Sequence, residues 1–257
     1  MNKNLVRQIL NLLLIVATLV VNLLANVIPF NGLTTAEISN RFDVYFVPAG
    51  YVFSIWGLIY LGLITFGIYQ ALPSQRDNPR LRSVDGLFIL ASLANMTWLF
   101  LWHYEQFVAT LAAMLVLLAS LIGIYLRIGT GRTSVPAAET WCVRVPFSIY
   151  LGWITVATIA NVTEVLDFLN WNRFGLSPET WMLIILGAVF VIATLMNLTR
   201  RDVAYTLVIL WALVGIVVSQ ADVALVANAT RWTAAAIAVT LAIGLFLPKK
   251  GSKTQQA

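Results

Sequence analysis

The sequence predicts an all-α protein, a polytopic membrane helix bundle of about eight transmembrane helices with both termini cytoplasmic. Three observations predict it. First, only 11% of the 257 residues are charged while 60% are hydrophobic, against roughly 25% charged in an ordinary soluble domain. That leaves too little polar surface to coat a water-soluble globule, and it excludes a soluble enzyme, a disordered chain and a nucleic-acid-binding domain together. Second, eight apolar runs are long enough to cross about 30 Å of hydrocarbon at the helical rise. Third, the basic residues sort by side. The continuous apolarity of the runs, with no alternation, argues against a strand barrel.

The runs lie at 8–28, 50–72, 86–103, 107–126, 144–166, 180–198, 203–219 and 230–247. The first follows Lys3 and Arg7 as a signal peptide would. Its apolar stretch is longer than the 7–15 residues of a signal core, and Asn22 and Asn26 lie inside it, so it reads as a retained helix. The third and fourth are separated only by His103 to Gln106 and predict a tight hairpin. The sixth and seventh are joined by the short turn Thr199-Arg200-Arg201-Asp202. Arg231 and Trp232 at its start make the eighth the weakest of the set.

With eight spans, Lys3, Arg7, Arg76, Arg80, Arg82, Arg127, Arg132, Arg144, Arg200, Arg201, Lys249, Lys250 and Lys253 fall on one side. Arg41, Arg173 and Arg231 fall on the other. Thirteen against three accounts for all 16 Lys and Arg, the asymmetry expected of cytoplasmic loops, and one span more or fewer would scramble it. The net charge of +5 is therefore a membrane topology signal and not a nucleic-acid surface.

Between the spans, 73–85 and 127–143 carry Pro and Gly and read as cytoplasmic loops. The outer linker 29–47 differs. It carries Phe30, Phe42, Tyr45 and Phe46, as would an interfacial aromatic belt or a lid folded over the bundle. Three spans set tryptophan and polar residues on one helical face: Phe53, Trp56 and Tyr60; Asn95, Trp98 and Trp102; Tyr150, Trp153 and Asn161. Flat apolar surface with a few hydrogen-bonding groups suits a pocket for a planar or polycyclic lipophile. It equally suits helix–helix packing with Asn as glue.

Of the ionisable residues, His103 falls at a helix end and is expected at the interface, with a haem ligand or proton-sensitive gate as its sharper alternative. Glu164 and Asp167 end the fifth span on the outer side and are expected in solvent, although Glu164 stands one turn from Asn161. Asp222 and Arg231 flank the last outer loop and are expected to pair. The lone Cys142 excludes a disulfide within the chain. No Gly-rich phosphate loop with Lys, no metal-ligand cluster and no intramembrane His or Cys beside a base is present, so no enzyme chemistry, cofactor or metal is expected.

The same residues carry a resemblance to the tryptophan-rich sensory protein family, TspO, whose mitochondrial members are called translocator protein or peripheral benzodiazepine receptor. Pro48 stands eight residues before Trp56-Gly-Leu-Ile-Tyr60, as the family's second helix has it. Ala94-Asn95-Met-Thr-Trp98 matches the motif of its third helix, and Tyr150-Leu-Gly-Trp153 with Asn161 that of its fifth. Val47 replaces the first of the family's two prolines, Gly50 a favoured Trp, and Ile149 the Pro before Tyr150. The resemblance covers residues 1–166, a TspO-like five-helix domain, and leaves 167–257 as three additional helices with a short basic tail.

The resemblance implies a protein that binds, senses or transports a tetrapyrrole, a sterol-like molecule or another polycyclic lipophile beneath the 29–47 linker. Pro48, Phe53, Trp56, Tyr60, Asn95, Trp98, Trp102, Tyr150, Trp153 and Asn161 are the residues expected at its pocket. Leu121, Tyr125 and Arg127 form a sterol-type pattern of little weight, at the end of the fourth span and not after the fifth. A secondary transporter of a small solute using all eight helices, or a non-catalytic assembly subunit, are the other classes open. The lipid bilayer is the expected partner, of a bacterial inner or plasma membrane; nucleic acid is not, and a homodimer is compatible with the sequence.

Overall fold

Residues 3–246 are described by a computed structural model of the chain, and among them there are helices and no strand. Eight long helices follow one another: α1 (Lys3–Val27), α2 (Ile55–Ala71), α3 (Pro79–His103), α4 (Phe107–Arg127), α5 (Val145–Phe168), α6 (Pro178–Thr199), α7 (Val203–Ser219) and α8 (Ala224–Phe246). Seven stretches are long and apolar enough to cross a membrane, and α7, with 17 residues, is the shorter apolar one. The eighth span is thus one continuous helix despite Arg231.

Local signals set the boundaries. Asn78 caps α3 through the Arg80 amide, with Pro79 in the first turn. Ser177 and Pro178 do the same for α6, and Asp202 caps α7 by accepting from the Tyr205 amide at 3.0 Å. Each places a side-chain acceptor where the first amides of the helix have no partner of their own. The α3–α4 reversal is as tight as the four-residue gap requires, with Glu105 at φ 57.

Five helices close a ring. α1 packs on α2 and α3, α3 on α4, α4 on α5, and α5 on α2. The first helix is tied in by polar contacts: Gln8 Nε2 donates to the Gln70 carbonyl at 2.6 Å, and Arg7 pairs with Asp85 at 3.1 Å. The other three helices form a smaller group. α8 packs on α6 and α7, and α7 lies against α5 and against the 3-10 turn Gly50–Ser54 that opens α2.

That seam depends on glycine. A Cβ on Gly152 of α5 would stand 3.0 Å from the Tyr205 carbonyl oxygen, and one on Gly215 of α7 would stand 2.1 Å from Val52 Cγ2 and 3.1 Å from Pro48 Cβ. Small residues let helices approach to backbone contact in a membrane. Here the approach lets the Gly215 carbonyl accept the Ala49 amide at 3.1 Å, while Trp211 Nε1 donates to the Val52 carbonyl at 3.1 Å. Pro48, expected as the hinge between linker and helix, is thus clamped by α7.

The contacts made by the arginines group at two ends of the bundle. At one, Arg7 reaches the Arg76 carbonyl, Arg80 pairs with Glu139, Arg127 reaches the Ser83 carbonyl, Arg144 the Ile128 carbonyl and Arg200 the Thr130 carbonyl. At the other, Arg41 pairs with Glu105 at 2.5 Å. Lys249, Lys250 and Lys253 lie outside the described residues. The expected Asp222–Arg231 pair does not form; Arg231 donates instead to Asn228, one turn earlier on its own helix, at 2.7 Å.

Gly215→Val should therefore cost about 1–3 kcal/mol by overpacking, seen as a lower melting temperature in detergent. Gly187→Ala, where an added Cβ meets nothing within 4 Å, should leave that temperature unchanged or raised.

Candidate functional site

The outer linker folds over the ring as a lid. Its short helix Thr35–Ser39 is started by a reciprocal cap, in which Thr34 accepts from the Glu37 amide and Glu37 from the Thr34 amide. The Thr34 amide and, with it, the Thr34 hydroxyl donate to the Glu37 carboxyl and hold it below its ordinary range. The lid is then tied down along its length. Trp102 Nε1 donates to the Thr35 carbonyl at 3.2 Å, Ser39 Oγ donates to the Glu164 carboxylate, and Arg41 pairs with Glu105. Further on, the Asp43 amide donates to Asp167 at 3.3 Å, and the Tyr45 hydroxyl to Glu179 at 2.9 Å. That last bond raises the Tyr45 phenol above its usual value.

Two expectations change here. Glu164, expected in solvent, is 3% exposed because Ser39 closes over it. His103, expected at the interface, is fully buried. Its Nδ1 lies 2.8 Å from the Leu99 carbonyl oxygen. That oxygen can only accept, so Nδ1 carries the proton, and Phe30 of the linker meets the ring edge-on at 5.6 Å.

Beneath the lid and inside the ring lies a cavity lined by Thr35 of the lid, Phe53 and Trp56 from the start of α2, Asn95 and Trp98 of α3, Met114 and Leu117 of α4, and Trp153, Ile154 and Ala157 of α5. Five of the ten expected site residues therefore line one space: Phe53, Trp56, Asn95, Trp98 and Trp153. Their rings form two walls. On the α2–α5 side, Trp153 meets Phe53 at 5.7 Å and Trp56 at 6.3 Å, both edge-on. On the α3 side, Trp98 stacks on Trp102 at 5.3 Å.

The other five stand one layer back. Tyr60 stacks on Trp56 at 5.6 Å and Tyr150 meets it at 6.0 Å, so both buttress the wall. Trp102 holds the lid, and Pro48 sits on α7. Asn161, expected as a polar contact to ligand, is a helix–helix node instead. Its Oδ1 accepts from Trp98 Nε1 at 3.2 Å and its Nδ2 donates to the Thr110 hydroxyl at 2.9 Å, tying α3, α4 and α5 together. Asn95 does line the cavity while its Oδ1 accepts from Asn22 Nδ2 of α1 at 2.8 Å.

Two magnitudes define what this space can do. Its volume is about 30 Å³, room for about two waters, so the cavity as it stands has no room for a polycyclic molecule. Its polar provision is also incomplete, since the buried Trp153 Nε1 has no hydrogen-bond partner. A buried unpaired N–H costs about 1–3 kcal/mol. An acceptor oxygen placed in the cavity would relieve that cost. Thr35 and Met114 at the lining were not singled out in the sequence, because an unremarkable Thr or Met shows no chemistry until the fold brings it to a wall.

The two indole partners separate fold from site. Asn161→Leu strands the Trp98 N–H, while the Thr110 hydroxyl keeps its bond to the Phe107 carbonyl, and should lower the melting temperature markedly, by about 1–3 kcal/mol of stability for the group left unpaired. Trp153→Phe removes an N–H that has no partner and should lower it less, by the cost of the smaller ring alone; equal losses would contradict this division.

A search of curated proteins finds no match to the chain, and neither does a search of solved structures. The family profile described as TSPO-like protein matches residues 8–247. The match takes in α6, α7 and α8 as well as the ring, so the helices that clamp the lid hinge lie within it. An integral membrane bundle with this profile across nearly its whole length belongs to the TSPO-like protein family.

Proposed function

We propose that the protein binds a flat polycyclic lipophile, of tetrapyrrole or sterol-like type, between the two aromatic walls beneath the lid, in a sensing or transporting role. The observation that carries this reading is the cavity itself. Rings from α2, α3 and α5 line one space, and the buried indole N–H of the lining residue Trp153 has no partner. Aromatic walls supply offset and edge-on ring contacts worth about 0.5–1.5 kcal/mol each beyond area burial. The N–H selects a ligand that carries an acceptor oxygen at its edge.

Because the closed space admits about two waters, binding requires the walls to part. The lid is the element that moves in this reading, since it supplies Thr35 to the lining and joins the ring through a five-residue helix, a few polar ties and a few buried side chains rather than through a membrane-length helix. Ligand and closed lid compete for the same volume, so occupancy and opening are linked.

Titration of the full-length protein in detergent with protoporphyrin IX tests the reading through quenching of tryptophan fluorescence. Saturable quenching is expected, weakened at least tenfold in Trp56→Ala. In Trp153→Phe the weakening should be selective for ligands that carry a carbonyl or carboxylate oxygen. Quenching that is linear and unsaturable in the wild type, or that is identical in folded Trp56→Ala, would overturn it.

A further inference from the structure

A second cavity opens on the outer face, across the lid from the first, at the seam between the ring and α6. It is bounded by the lid segment Asp43–Phe46, by Asp167 at the end of α5, by Trp171 and Arg173 of the α5–α6 loop, and by Trp181 of α6. It holds about 40 Å³, little more than the ring cavity, and is more open to the outside. We propose that this mouth is a binding site for a zwitterionic phospho-ammonium group, as carried by a phosphatidylcholine or phosphatidylethanolamine headgroup or by the corresponding free glycerophosphodiester.

The chemistry follows from charges of both signs that face one space and do not pair with each other. Among the described residues no ion pair joins Arg173 to Asp43, Asp167 or Glu179. Asp167 accepts only a backbone amide, that of Asp43, at 3.3 Å. Arg173 Nε is buried and has no acceptor. Its guanidinium is set by a left-handed turn, with Arg173 at φ 53 and Phe174 at φ 54. A bare cation would satisfy the carboxylates and meet the guanidinium; a bare anion would do the reverse. A group with an ammonium and a phosphate a few bonds apart answers both.

The walls fit the ammonium end. Trp171 and Trp181 meet edge-on at 4.8 Å, and Tyr45 closes the same side with its hydroxyl committed to Glu179. Aromatic faces beside carboxylates are the environment that attracts alkylammonium groups, by ring quadrupole and charge together. The floor is apolar, formed by Met182 and Ile185 of α6, and the site stands at the membrane end where tryptophan and tyrosine meet headgroups. This site is independent of the ring cavity and of the function proposed for it.

The test is calorimetric titration of the purified full-length protein with dihexanoyl-phosphatidylcholine, dihexanoyl-phosphatidylglycerol, glycerophosphocholine, choline and inorganic phosphate. Phosphatidylcholine should bind saturably and at least tenfold more tightly than phosphatidylglycerol, choline or phosphate. Arg173→Gln and, separately, Asp43→Asn should each weaken it at least tenfold. Both variants should melt as the wild type does and keep its quenching by protoporphyrin IX. Glycerophosphocholine binding as tightly as the lipid supports the zwitterion site with a soluble source, and weaker binding supports it with the bilayer as source. Equal affinity for phosphatidylcholine and phosphatidylglycerol, or unchanged affinity in either folded variant, would overturn the proposal.

Discussion

Hydrocarbon offers no hydrogen bonds, so every polar side chain carried into it must find its partner within the protein. That constraint arranges this bundle more than helix shape does. Asn22 and Asn95 fix α1 against α3. Asn161, with Trp98 and Thr110, fixes α5 against α3 and α4. Asp202 accepts from Tyr125 at 2.8 Å and from Ser148 at 2.5 Å, joining the start of α7 to α4 and α5. Asn197 accepts from Thr206 at 2.5 Å and donates to Thr240 at 2.9 Å, which locks α6, α7 and α8 to one another. Each node uses up its groups on neighbours. The ring cavity is a place where the accounting stays open, at Trp153 Nε1.

The lid inherits its position from the same rule. It crosses the outer end of the bundle and is tied in turn to α3, to α5, to α6 and to α7, each time by one or two polar groups. The strap also buries Ile38 and Phe46 and packs Phe42 against Trp102 and Phe107, so releasing it costs apolar burial as well as a few hydrogen bonds. The contact of α7 with the hinge has a further consequence. The three last helices hold the segment that enters α2 and carries the wall residue Phe53. Gly152 and Gly215 set how close α7 comes to α5 and to that segment.

Much of this was legible in the sequence. Apolar runs of sufficient length, and Lys and Arg sorted by side, need no knowledge of packing, because both follow from the solvent. The aromatic faces were legible for the same reason, since a helix of known period places Phe53, Trp56 and Tyr60 together. What the sequence left dark is what depends on distant partners. Glu164 is buried by Ser39, 125 residues away, and His103 by Phe30 of a linker whose path no periodicity reveals. Asn161 looked like a ligand contact because its face is right; only the position of Thr110 on another helix shows that its groups are already spent. The role of α7 rested on two glycines, which announce nothing chemical.

We propose that a polycyclic ligand enters the ring by lifting the lid. It is tested most directly by a distance measured across the membrane with and without ligand. Spin labels on Asn40→Cys at the end of the lid helix and on Trp141→Cys at the opposite end of the bundle, in a Cys142→Ser background, give that distance by pulsed electron paramagnetic resonance. Both positions are exposed. Saturation with protoporphyrin IX should shift the distribution to longer distances. A saturated protein with an unchanged distribution would contradict the account.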